Sequence, residues 1–129
     1  MAITLAVALS ILSGVNTKLT ETKEAEIILQ VAEEYNLTDR ETRLLLAIRR
    51  VENGRPEIAF GVGSDDPNHP ARRYGDAEPE KSLRLQAQWA AGTITRRYRG
   101  STLMIFAARW CPPNADNWAK MVKERMDRG

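Results

Sequence analysis

Along most of the chain apolar residues recur at three- and four-residue spacing, the signature of helices that bury one face. Ala25, Ile27, Ile28, Val31, Ala32 and Tyr35 set that period between about Thr20 and Tyr35, with Glu24, Glu33 and Glu34 on the opposite face. Asn36-Leu37-Thr38 interrupts it. Thr38 with Glu41 three residues on has the form of a capping box, in which each side chain satisfies a backbone N–H at the start of the next helix. Leu44, Leu45, Ile48 and Val51 make that helix's apolar stripe, and Asn53-Gly54 supplies residues that tolerate a left-handed C-terminal cap. Glu52 therefore falls in the last turn.

From Gly54 to Pro79 the pattern changes to four prolines, four glycines and the run Gly61-Val62-Gly63-Ser64-Asp65-Asp66-Pro67. This reads as a long loop, with short strands predicted around Ile58 to Val62; loops of that length inside a small domain are commonly functional. Pro79 suits the first turn of a third helix, whose Leu83, Ala87, Ala90, Ala91, Ile94 and Tyr98 share one face and which should end near Gly100. Ser101 or Thr102 can cap a short, very apolar helix from Leu103 to Trp110, stopped by Cys111-Pro112-Pro113 because proline lacks the N–H and clashes with the preceding turn. Its composition predicts a buried hub. Asn114 or Asp116 starts a final amphipathic helix with Trp118, Met121, Val122 and Arg125 inward. The first 14 residues are apolar on every helical face yet too short to span a bilayer comfortably. A leader peptide would normally carry a basic start and a small-residue cleavage pattern, so a buried N-terminal helix is favoured over an export signal. The predicted fold is a mainly α, single small domain over residues 1–129.

Composition adds little to that picture, but charge does. With 43% hydrophobic and 28% charged residues the chain is of ordinary globular make-up. The net charge of +2 conceals 9 Lys/Arg against 14 Asp/Glu in residues 1–80 and 10 against 3 in residues 81–129. A basic C-terminal part can attract an anionic polymer, although solvated Arg-rich helix faces account for it equally well. Arg96, Arg97 and Arg99 with the last helix come without any nucleic-acid reading motif, so no nucleic-acid partner is expected. The single cysteine, Cys111, cannot form an internal disulfide and reads as a core or near-core thiol. His69 is the only histidine and has no companions at ligand spacing, so neither metal binding nor a nucleophilic triad is supported, and no cofactor is expected.

The residue with chemical promise is Glu52. A glutamate at a helix C-terminus faces the negative end of the macrodipole, and apolar neighbours add a desolvation cost. Both effects favour the protonated form that a general acid needs. The plain alternative is a surface ion pair with Arg49, Arg50 or Arg55.

The string Ala47-Ile48-Arg49-Arg50-Val51-Glu52-Asn53-Gly54, followed by Phe60-Gly61-Val62 and later by Arg109-Trp110-Cys111-Pro112, resembles the catalytic region of lysozyme-like enzymes. The pattern is closest to lytic transglycosylases and related muramidases or glucosaminidases. The resemblance runs from Leu44 to Val122 in short segments. It implies that Glu52 ends the catalytic helix and that a Phe-Gly turn lines a sugar cleft. An Arg-Tyr-x-Pro type motif should follow, in which the tyrosine hydroxyl reaches the carboxyl. Here Trp110 stands in that tyrosine's place and can donate only through its indole N–H. The glutamine that commonly follows the glycine turn is absent, since Gly63 runs into Ser64 and Asp65.

Glycoside hydrolysis ordinarily uses two carboxylates. Asp65, Asp66 and Asp76 are available for the second, but each also suits a turn. A lytic transglycosylase, by the same resemblance, needs one glutamate as acid and then as base, which fits this sequence better. Substrate contacts are expected from Phe60, Gly61, Val62, Gln86 and Trp110. Core packing is the competing role for Phe60 and Trp110, and Gln86, on the apolar side of its helix, would need hydrogen-bond partners if buried. The expected partner is the glycan strand of peptidoglycan, without stable membrane insertion, at the cell envelope or in a phage. The competing readings are a hydrolytic muramidase or glucosaminidase, and an inactive glycan- or protein-binding module on the same scaffold.

Overall fold

Leu44, Leu45, Leu46, Ala47 and Ile48 are five consecutive apolar residues, and all are fully buried. Consecutive positions on a helix point in every direction around its axis, so a helix with this sequence must be surrounded. In the computed structural model, which describes residues 3–53, 59–61, 74 and 77–129, that helix is α3 (Asp39–Glu52). Around it pack α1 (Leu5–Leu12), α2 (Glu21–Glu34), α4 (Pro79–Arg97) and α6 (Ala115–Met126), while α5 (Leu103–Trp110) leans on α6. A single 3-10 turn, Pro112–Asn114, joins the last two. The described residues form a mainly α domain and contain no strand. Of the segment predicted as short strands, Ala59–Gly61 is a turn, and Ile58 and Val62 lie outside the described residues.

The helix boundaries follow from their caps. Thr4, Thr20, Thr38 and Thr102 each accept a backbone N–H at the start of a helix, as threonine does at N-caps. At Thr38 the capping box is complete: Glu41 N–H donates to Thr38 Oγ1 at 3.1 Å and Thr38 N–H donates to Glu41 Oε1 at 2.9 Å. Pro79 occupies the first turn of α4, where its missing N–H costs nothing. The N-terminal segment forms α1, which buries Ala8, Ile11 and Leu12 against α2, α3 and α6. No helix among the described residues is long and apolar enough to cross a membrane.

Packing expectations are corrected in three helices: in α2, Glu24, expected opposite the apolar face, is buried, while Tyr35, expected on that face, is exposed. The hub of the fold is α3, not the apolar Leu103–Trp110 helix, which buries only Phe106 and Ala107 and leaves Met104 and Ile105 about half exposed. Eight residues make little more than two turns, and among the described elements α5 packs chiefly on α6, which leaves Met104 and Ile105 uncovered. In α6 the inner stripe advances by fours through Trp118, Val122 and Met126, which leaves Met121 exposed.

Arg99, just past α4, grips the start of α3: its Nε donates to Glu41 Oε2 at 2.8 Å and its Nη2 to Oε1 at 2.7 Å. These bonds hold the Glu41 carboxyl below its ordinary value of 4.5; the bonds to Thr38 add to the effect and burial opposes it. A carboxyl with a lowered folded value stabilises the protein above its unfolded value, and that contribution is lost as pH falls through the folded value. The urea midpoint should therefore drop as pH is taken from about 5 to about 3, and drop less steeply in Glu41→Gln. Equal slopes in the two proteins would show that Glu41 carries none of the acid sensitivity.

Candidate active site

Helix α3 stops at Glu52 because Asn53 turns left-handed, with φ 47° and ψ 36°. Asparagine tolerates this conformation better than most residues. The turn is tied down at both ends: Asn53 N–H donates to the Arg49 carbonyl at 2.9 Å, and Asn53 Oδ1 accepts Asn16 N–H at 2.6 Å. The Glu52 side chain is thereby half-buried at the junction of α3, α6 and the returning loop. Trp118 of α6, itself 3% exposed, donates its indole N–H to Glu52 Oε1 at 2.7 Å.

On the other side of the carboxyl lies Gly61. Its φ of +74° favours glycine, and a Cβ there would lie 2.6 Å from the Glu52 carboxyl carbon and closer still to Oε2. Only a residue without a side chain lets the turn pass so near the carboxyl. Any substitution of Gly61 would displace either the turn or Glu52.

Two buried polar side chains hold that turn. Gln86 of α4 accepts the Ala59 N–H on Oε1 at 2.7 Å and donates Nε2 to Ser82 Oγ at 2.8 Å. Arg49 of α3 donates Nη1 to the Ala59 carbonyl at 3.0 Å. The Arg49 guanidinium also makes two bonds to the Glu24 carboxylate, at 2.8 and 3.0 Å, and one to the Asn16 carbonyl. Arg49 and Glu24 are each 2% exposed, so the charges compensate one another inside the protein.

Phe60 and Gln86, expected among the substrate contacts, are buried, Phe60 within the turn and Gln86 beneath it. Phe60 is 1% exposed and Gln86 is 6% exposed, with its carbonyl committed to the backbone. The requirement for partners at a buried amide is met by the turn itself. Val62, Asp65, Asp66, His69, Asp76 and Arg55 lie outside the described residues.

Trp110 does not donate to Glu52; Trp118 does. Trp110 is half-buried and stacks on Trp118, with centroids 6.1 Å apart and an angle of 23°. It also meets Phe106 at 5.4 Å and Trp89 of α4 at 5.8 Å. The result is a run of three indoles from Glu52 outward, ending in Trp89, which is 43% exposed. Sequence reading placed Trp118 in the core and passed over Trp89. The available signal was chemical: a buried indole N–H needs an acceptor, and a carboxylate near a helix end is a good one.

The ion-pair alternative for Glu52 finds no support among the described residues. Arg49 is bound as above, and Arg50 donates Nε to the Ser13 carbonyl at 2.8 Å. No described cation pairs with Glu52. No group of three or more described His, Cys, Asp or Glu residues is placed to share a metal ion.

No family model, characterised protein or solved structure matches the chain. Function must accordingly be argued from the chemistry around Glu52. Two grooves, of about 440 and 500 Å³, flank α2, the first bordered by Leu29 and Leu37 and the second by Ile27 and Arg84; neither is lined by Glu52. The Glu52 carboxyl lies between the Trp118 indole N–H and Gly61.

Proposed function

We propose that this chain is a lysozyme-like domain that cleaves the glycan strand of peptidoglycan by lytic-transglycosylase chemistry, with Glu52 as the acid and then the base. The observation that carries the reading is the Trp118 indole N–H on Glu52 Oε1 at 2.7 Å, with Gly61 packed against the other side of the carboxyl. A glutamate so held at the end of a central helix has a fixed orientation and no cationic partner among the described residues, as an acid–base group requires. The resemblance of Ala47–Gly54 and Phe60-Gly61 to the lysozyme-like catalytic region supplies the substrate class.

In the proposed reaction the protonated Glu52 gives its proton to the leaving glycosidic oxygen as the bond from the anomeric carbon breaks. The Trp118 N–H bond offsets the negative charge then left on the carboxylate. That carboxylate takes the proton of the same sugar's 6-hydroxyl, whose oxygen closes on the anomeric carbon to give an anhydro ring, and Glu52 returns to its acid form. No second carboxylate is needed. The exposed face of Trp89 offers the flat apolar surface on which sugar rings pack.

The test is incubation of the folded wild-type protein with purified peptidoglycan and chromatography of the supernatant. Release of soluble glycan fragments is expected; a folded protein that releases none would leave a glycan-binding module as the better description. Trp118→Phe keeps most of the packing but removes the N–H donor. It should slow release on the order of 10-fold or more, the loss expected when one charge-stabilising donor is removed.

A further inference from the structure

Both backbone polar groups of one buried residue, Ala59, are satisfied by side chains: its N–H by Gln86 and its carbonyl by Arg49. Ala59 is 2% exposed and stands two residues before Gly61, the point where the turn meets the Glu52 carboxyl. Neither clamp is free to drift. Gln86 is braced by Ser82, which is fully buried, and Arg49 by the Glu24 carboxylate. From these contacts we infer that Gln86 and Arg49 are positioning residues, which hold the Ala59–Gly61 turn against Glu52 and so fix where its carboxyl sits. The inference rests on the reading of Glu52 as the reacting acid.

The physical case is one of distance and rigidity. The Trp118 bond fixes only Oε1, and rotation of the carboxyl about that bond is limited by what lies beside Oε2. Gly61 occupies that side at a separation no Cβ could tolerate, so a shift of the turn by a fraction of an ångström opens or closes the space around Oε2. The bonds to Ala59 come from buried groups on α3 and α4, so the position of the turn is coupled to those helices. Displacements of this scale at a reacting group are enough to cost on the order of 100-fold in rate.

Gln86→Met tests this, since methionine keeps the volume and loses the bonds to Ala59 and Ser82. The first readout is the Trp118 indole N–H resonance, which reports the geometry of its bond to Glu52 and requires no substrate. The second is fragment release from peptidoglycan, resolved into kcat and KM. The expected result is a displaced indole resonance and a kcat lowered on the order of 10- to 100-fold with KM little changed. Gln86→Glu, which keeps an acceptor for the Ala59 N–H, should recover most of the wild-type resonance. Ile94→Ala, a cavity at the far end of the same helix, should lower stability and leave the resonance in place, separating positioning from general loosening. If Gln86→Met does not fold, Ser82→Ala removes the brace and should shift the resonance in the same direction by less. A wild-type resonance in folded Gln86→Met or in Ser82→Ala, or an equal shift in Ile94→Ala, would overturn the inference. A wild type inactive on peptidoglycan whose resonance still answers to Gln86→Met would defeat the glycan reading and leave the positioning intact. An active wild type with kcat indifferent to Gln86→Met would do the reverse.

Discussion

Glu52→Gln is expected to lower glycan release by about 10²–10⁴-fold, the usual contribution of a positioned acid–base group, while the fold survives. The glutamine carbonyl still accepts the Trp118 N–H in the place of Oε1, so the buried indole keeps its partner. What disappears is the proton, at a position where the amide can neither give nor take one. Glu52→Ala should be worse in a different way. It leaves the Trp118 N–H, on a residue 3% exposed, without its acceptor, and an unsatisfied buried donor costs about 1–3 kcal/mol of stability. Initial rates of fragment release set beside urea midpoints separate the two effects. A purely structural role for Glu52 predicts loss in proportion to stability; an acid–base role predicts a glutamine variant that is stable and inactive.

Arg49→Met should be the most destabilising single substitution. The guanidinium is 2% exposed and, among the described residues, supports both oxygens of Glu24 and the carbonyls of Asn16 and Ala59. Removing one partner of a buried pair strands the other charge, at a cost of about 3–5 kcal/mol. Domains of this size have only about 5–15 kcal/mol to lose. Methionine restores part of the volume and none of the bonds. The double variant Glu24→Gln/Arg49→Met should cost less than the two single changes added together, because no lone charge remains in the interior. A urea unfolding series on the wild type, both single variants and the double variant checks this; strictly additive losses would mean that the pair is not coupled.

The local features were legible in the sequence because they are written in adjacent residues. The Thr38–Glu41 capping box, the left-handed Asn53, Pro79 at a first turn and the Leu103–Trp110 helix all follow from chemistry within a few positions, and each is present. The misreadings concern what lies on the far side of a helix. Leu103–Trp110 is apolar enough to be a hub, but exposure depends on neighbours, and among the described elements those of α5 lie on one side. A place on the apolar side of its helix shows that Gln86 is a buried amide in need of partners but not that Ala59, 27 residues earlier, supplies its donor. Arg49 looked like a surface partner for Glu52, whereas its carboxylate is Glu24, 25 residues away. At the site, Glu52 and Gly61 were legible and come together, whereas the donor was assigned to Trp110 and proves to be Trp118. Periodicity shows that Trp118 faces inward. It does not show which of the inward-facing groups on another helix it meets.

The most direct test of the central claim, that one glutamate serves as both acid and base, is the end-group mass of the products. Wild-type protein and Glu52→Gln, both shown to be folded by the Trp118 indole resonance, would be incubated in parallel with purified peptidoglycan and the fragments weighed by mass spectrometry. Anhydro-ended fragments from the wild type and none from the variant are the predicted result; reducing-end fragments, or equal release by the two proteins, would contradict it.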